Sequence, residues 1–255
     1  MQRLLARAAL LALVSAFGPS CHSDSTPTAP TGPLKLLFIG NSLTYTNDLP
    51  GMVTGLAKAS GLDVSADVVA FPGFALIDHW NEGTALAKLR SQHYDFVILQ
   101  QGPTSLLINR DSLIMWTQMW EPEIRAAGAR PALFAVWPDS SRFFAFADVA
   151  ESYREAAQAV QGVFLPVGDT WLATWARVPN AALYGSDNFH PNVAGSYAAA
   201  VVIVARLCNR SATSLSASFT PHGETVGDWT AELGAAIRAA AAVVLARSKN
   251  IVPAR

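Results

Sequence analysis

Cysteine is scarce in this chain: Cys21 and Cys208 are the only two in 255 residues. There is no Cys-x-x-Cys pair, and no His/Cys/Asp/Glu spacing of the kind that holds zinc, so no metal site is expected. Charge of one sign is lacking too. Lys and Arg total 18 against 19 Asp and Glu, with no basic block, which argues against a nucleic-acid partner. No Gly-rich loop suggests a nucleotide, so no cofactor is expected. No internal repeat is visible. The apolar run from Ala8 to Phe17 falls short of the roughly 18 residues that a permanent membrane span needs.

That run is nevertheless informative. Arg3 and Arg7 precede it, which gives residues 1–20 the charged and apolar regions of a signal peptide. Residues 21–33 are a Ser/Thr/Pro-rich linker without apolar periodicity, so an apolar helix tethered by it would have no core to join. The protein is therefore expected to be exported, to a periplasmic or extracellular location. Gly18-Pro19-Ser20-Cys21 resembles a bacterial lipoprotein cleavage box. Lipidation at Cys21 would tether the protein to a membrane, and simple cleavage after Ala16 or Ser20 is the alternative. With Cys21 lipidated or removed, Cys208 has no intramolecular partner, and no structural disulfide is expected.

Residues 34–250 read as one α/β domain. Leu34–Ile39 is a buried strand, followed by a helix that opens near Asn47-Asp48-Leu49-Pro50 and stops at Gly61. Val64–Phe71 is a β-branched strand, and Phe74–Arg90 is helical with a break at Gly83. Tyr94–Gln100 carries the continuous apolar run of a strand buried on both faces. Asp111 is placed to cap a helix reaching Ala127, bent or divided at Pro122. Pro131–Trp137 and Val163–Val167 are strands, with the helix Asp148–Gln161 between them. Asp169 is placed to cap a short helix from Thr170 to Arg177. Pro191 starts an apolar helix ending near Leu207, and Asp228 starts a last one ending near Arg247. Alternating strands and helices predict a doubly wound three-layer α/β/α sandwich with a mainly parallel five-stranded sheet. Ligands bind at the carboxyl ends of the strands in such sheets.

Ser42, Gly73 and Gln100-Gln101-Gly102 each follow a strand, so they should gather at that edge. A serine hydroxyl is a weak nucleophile alone and needs a base. His190 precedes a helix and can return to the same edge, with Asp187 three residues earlier to fix its tautomer. Among the other histidines, His22 lies in the linker, His93 precedes a strand and belongs to the opposite edge, and His222 reads as a loop residue. His79 is the one rival base, though a surface helix position is its default reading. Trp116, Trp120, Trp171 and Trp175 have helical spacing and read as core.

These stretches resemble the SGNH/GDSL hydrolase superfamily. Ile39-Gly40-Asn41-Ser42-Leu43-Thr44 is similar to its first block, with Asn41 where Asp is commoner. Ala70-Phe71-Pro72-Gly73-Phe74 is similar to the second, and Asp187-Asn188-Phe189-His190-Pro191-Asn192 to the last. The resemblance spans residues 34–207 and implies a flavodoxin-like fold. It also implies a triad of Ser42, His190 and Asp187, with the backbone N–H groups of Ser42 and Gly73 as oxyanion donors. The third block departs. Leu99-Gln100-Gln101-Gly102-Pro103-Thr104 stands where an asparagine donor is usual, as in sialate O-acetylesterase-like branches that carry a glutamine. Gln101 is the first choice for that donor and Gln100 the second, since alternation points them to opposite faces.

The resulting expectation is a serine esterase removing short acyl groups, acetyl above all, from a carbohydrate-like alcohol or other small molecule. No long apolar insertion near Ser42 or His190 offers a lid, and Asn41, Thr44, Tyr45, Asn47 and Asn188 suggest a polar entrance. Two rivals stand beside it: an acyltransferase with the same triad, and a non-catalytic surface lipoprotein that binds carbohydrate. The sequence does not specify an oligomeric state.

Overall fold

The computed structural model describes residues 33–217 and 230–248. The signal peptide, nearly all of the linker, Cys21, His22, His222 and the expected helix start at Asp228 lie outside the described residues. Five parallel strands form one sheet: β1 (Leu34–Gly40), β2 (Val64–Ala70), β3 (Phe96–Leu99), β4 (Arg130–Ala135) and β5 (Val163–Pro166), in the order β2-β1-β3-β4-β5. β1, β3 and β4 are the interior strands and are almost wholly apolar, because helices cover both faces of a parallel sheet. β2 is an edge. Its Ser65 and Asp67 reach solvent, and Asp67 bonds Lys88 and the Tyr94 hydroxyl. Strand order reverses between β1 and β3, which opens a crevice at their carboxyl ends.

A four-residue helix, α1 (Ser42–Tyr45), follows β1 directly, and α2 (Leu49–Ala59) begins only after a further tight turn. α3 (Leu76–Glu82) and α4 (Thr84–Ser91) meet at Gly83, as expected. α5 (Leu107–Ala126) and α6 (Phe146–Ala159) pack together on one face of the sheet. α7 (Val167–Trp175), α8 (Val193–Leu207) and α9 (Ala231–Arg247) pack with α2 on the other. All of α8 except Val193 and Arg206 is buried, because neighbours surround it. That explains its apolar character all round. Among the described residues no helix is long and apolar enough to cross a membrane.

Four helix assignments need correction. α5 starts at Leu107, so Asp111 lies inside it. Its first turn is held by Arg110, which donates to Ser152 and Glu155 on α6 at 3.1 Å each. Pro122 neither ends nor divides α5. α7 starts at Val167, and Asp169 sits in its first turn rather than capping it. The cap of α8 is Asn192, whose Oδ1 accepts the Gly195 N–H at 2.9 Å, while Pro191 belongs to the preceding loop. Trp120 and Trp171 are fully buried core residues, with Trp116 and Trp175 packed partly buried against them.

Candidate active site

The crevice between β1 and β3 holds the serine. At the end of β1 the chain passes Gly40 into Asn41, whose side-chain Oδ1 accepts the Leu43 N–H at 3.1 Å and so opens α1. Ser42 is the first helical residue and is half-buried. A single helical turn thus begins at Ser42 itself, ahead of the helix expected near Asn47–Pro50, which is present as α2.

A buried glutamine fixes this turn. Gln100, fully enclosed, accepts the Asn41 N–H at 2.9 Å and the Thr44 hydroxyl at 2.7 Å through Oε1. Its Nε2 donates to Asn41 Oδ1 at 3.0 Å and to the Gln101 carbonyl at 2.5 Å. Gly40 is required here by space. A Cβ on it would lie 2.5 Å from Gln100 Oε1 and closer still to Thr44 Oγ1. Asn41 and Thr44, expected at a polar entrance, are buried instead and belong to this hub. Both amide hydrogens of Gln100 are spent internally, so the side chain serves as scaffold.

The second loop is a tight turn, Phe71-Pro72-Gly73-Phe74, closed by Phe74 N–H to the Phe71 carbonyl at 3.3 Å. Pro72 pre-sets its first corner and Gly73 takes the positive φ of 72° that the second requires. Asn41 Nδ2 donates to the Phe74 carbonyl at 3.0 Å, joining this turn to the serine turn. An aspartate at position 41 could not make that bond, which gives the asparagine a purpose that the sequence alone did not reveal. The N–H groups of Ser42 and Gly73 bond no acceptor among the described residues. Gln101 follows β3, its Oε1 accepting the Leu76 N–H at 3.3 Å and its Nε2 donating to Thr104 Oγ1 at 3.2 Å. One Nε2 hydrogen remains. The Tyr153 hydroxyl, bonded to both the N–H and the carbonyl of Gln101, holds that backbone in place.

The histidine arrives on the loop before α8. His190 Nε2 lies 2.8 Å from Ser42 Oγ, and its Nδ1 lies 2.5 Å from Asp187 Oδ2. The carboxylate accepts at Nδ1, which leaves Nε2 free to accept the serine proton. Asp187 Oδ1 also accepts the N–H groups of Phe189 and His190 at 3.1 and 2.9 Å, so the acid organises its own loop. Asn188 takes a φ of 60°, which asparagine tolerates. The loop is tied down from outside by Trp137 Nε1 to the Phe189 carbonyl and by Ser140 N–H to the Asn188 carbonyl, both 3.0 Å. Asn47 Nδ2 reaches the Pro191 carbonyl and Ser196 Oγ, linking the serine and histidine segments.

Electrostatics follow the bonding. The His190 imidazole, then the two backbone N–H donors, hold the Asp187 carboxyl down at about 2 despite its exposed position. His79 is enclosed and remote from solvent. Burial lowers its pKa, and its Nε2 is engaged by the Gly40 carbonyl. That corrects the surface reading of His79, which makes no hydrogen bond to Ser42 and whose Nδ1 is buried without a partner. His93 is exposed near Asp95 at the amino edge of the sheet. Cys208 is half-buried, and burial pushes its thiol up to about 11. Among the described residues no cluster of His, Cys, Asp and Glu could hold a metal ion.

No protein-family model matches the sequence, and a search of curated proteins returns no match. Solved structures do match. A candidate SGNH hydrolase from Slackia heliotrinireducens is 25% identical with a TM-score of 0.57, covering 69% of this chain and all of its own. A DUF4886 family protein from Bacteroides uniformis is 16% identical with a TM-score of 0.66, covering 84% of this chain and 95% of its own. A catalytic mutant of an acetylxylan esterase from Geobacillus stearothermophilus is 17% identical with a TM-score of 0.52, covering 68% of this chain and 94% of its own.

Proposed function

We propose that the chain is a member of the SGNH/GDSL hydrolase superfamily, which its likeness to the Slackia heliotrinireducens structure supports, and that it is an esterase removing short acyl groups from a carbohydrate-like alcohol. The observation that carries the proposal is the unbroken hydrogen-bonded line from Ser42 Oγ through His190 to Asp187, at 2.8 and 2.5 Å, beside two unspent backbone N–H groups. Ser42 Oγ attacks the ester carbonyl while His190 Nε2 takes its proton. The N–H groups of Ser42 and Gly73, with the remaining hydrogen of the Gln101 amide, receive the negative charge that develops on the carbonyl oxygen. His190 then returns the proton to the departing alcohol. Water, deprotonated by the same nitrogen, releases the acid. The test is labelling by a fluorophosphonate. Labelling that is lost in Ser42→Ala supports the reading, and labelling that persists there refutes it.

The third oxyanion donor gives a separate prediction. Gln101→Ala is expected to lower kcat by about a hundredfold with little change in KM, since the bond strengthens in the transition state. Gln100→Ala instead removes the partner of the buried Asn41 N–H, which costs about 1–3 kcal/mol, so it should lower the urea midpoint. Wild-type kcat in a folded Gln101→Ala enzyme would leave the site with backbone donors only.

Two features support the substrate class. Asp187 and Asn188 stand exposed at the mouth. Phe143 and Phe144, 51% and 78% exposed, stand on the turn after β4, which is bonded to the histidine loop. Exposed aromatic faces suit the apolar side of a sugar ring. Some of the solved structures that this one resembles are acetylxylan esterases, which agrees with this class. A nitrophenyl ester series from acetate to palmitate, followed by acetylated xylan, checks the acyl length. kcat/KM should be highest for acetate or butyrate, and a continued rise with chain length refutes the short-acyl reading.

A further inference from the structure

His79 belongs to α3 and stays outside the reaction described above, yet it is fully buried. Its Nε2 lies 2.7 Å from the Gly40 carbonyl. A carbonyl only accepts, so this nitrogen carries the proton. Nδ1 is buried and has no partner. The ring lies against Phe71, with centroids 5.8 Å apart, and meets Phe74 edge-on at 5.1 Å. Those two residues bracket the Pro72-Gly73 turn. The Gly40 carbonyl also accepts the Phe71 N–H at 3.2 Å. One imidazole therefore touches both ends of the turn that carries the Gly73 N–H and grips the last peptide of β1, one residue before Asn41.

Packing alone would be served as well by a phenyl ring, which has no orphaned nitrogen. What the imidazole adds is the bond to Gly40. That bond, with the ring contacts to Phe71 and Phe74, links the serine turn to the Gly73 turn, as Asn41 Nδ2 does through the Phe74 carbonyl. We propose that His79 is a positioning residue that sets the relative placement of the Ser42 and Gly73 N–H groups, and so the geometry of the oxyanion site. The inference rests on the esterase reading. Burial keeps the imidazole neutral, partly opposed by the Gly40 bond and by the Glu82 and Asp78 carboxylates nearby. The neutral ring keeps its proton on Nε2.

The test uses three variants of the whole protein assayed on nitrophenyl acetate: His79→Gln, His79→Asn and His79→Phe. A glutamine side chain carries its amide nitrogen at about the reach of the imidazole Nε2, whereas the shorter asparagine cannot reach the carbonyl. His79→Asn and His79→Phe are expected to lose between about tenfold and a hundredfold in kcat at nearly unchanged KM. His79→Gln should recover most of that loss. Fluorophosphonate labelling rates should fall in the same order. Should His79→Phe fail to fold, the two amide variants decide alone. Equal kcat in that pair, or losses that merely follow the thermal midpoints, overturn the positioning role. Wild-type protein that neither labels nor hydrolyses the ester overturns the esterase reading itself, and this inference with it.

Discussion

Ser42→Ala and His190→Ala are each expected to lower kcat for ester hydrolysis by about a millionfold, and the double variant should be scarcely worse. The reason lies in the 2.8 Å contact between Ser42 Oγ and His190 Nε2. A hydroxyl without its base stays protonated and unreactive, and a base without the hydroxyl has nothing to activate, so losing either empties the pair. Near-multiplicative losses in the double variant would show that the two act independently. Competing explanations for residual turnover are separated by the labelling probe, which requires the serine and not merely a bound ester. KM should change little in all three, because neither group contributes more to holding the ester than to holding the transition state.

Asp187→Asn is expected to cost about ten-thousandfold in kcat. Two effects combine. The amide removes the anion that stabilises the imidazolium, and it presents a donor where His190 Nδ1–H needs an acceptor, favouring the wrong tautomer. Asp187 titrates at about 2, depressed chiefly by its bond to His190, so it remains ionised throughout the working range. Protonation of Asp187 therefore contributes nothing to the pH dependence of kcat/KM within that range. The sign for stability is the usual one for a depressed carboxylate. The contribution of Asp187 is present above the ordinary carboxylate range and is lost as pH falls toward 2. Because the carboxylate is half exposed, that contribution is small. A loss of wild-type activity that follows titration of the Asp187 carboxylate in the ordinary carboxylate range would contradict the assignment.

Most of the architecture could be read in the chain because its signals are of the kind that burial imposes. Phe96-Val97-Ile98-Leu99 is apolar without alternation because β3 lies between other strands and under helices on both faces. Ser42, Gly73 and His190 could be assigned to one edge because each follows a strand or precedes a helix in a parallel sheet. What could not be read was direction. Nothing in the string distinguishes Gln100, turned inward to hold Asn41 and Thr44, from Gln101, turned toward Leu76 and Thr104. Alternation says that they part, not which one faces the site. The same gap hid Asn41, Thr44 and His79, polar residues near the serine that turn into the core. Asn41 and Thr44 are bonded there by groups 33 to 59 residues away in sequence, and His79 Nε2 by the strand end itself. Helix starts were misplaced for a related reason. Asp111 and Asp169 are good caps by type, but α5 and α7 begin earlier because Arg110 and the end of β5 hold their first turns.

The distance along the chain between Ser42 and His190 has a bearing on time. They are 148 residues apart, with β2 through β5 between them. Ser42 is synthesised early and His190 late, and the strands between them in sequence join the same sheet. A sheet of parallel strands closes only long loops, which makes such pairing slow. During refolding, helical signal should therefore return before the serine becomes reactive. A partly folded chain would carry Ser42 without its contact to His190 until the loop before α8 has docked.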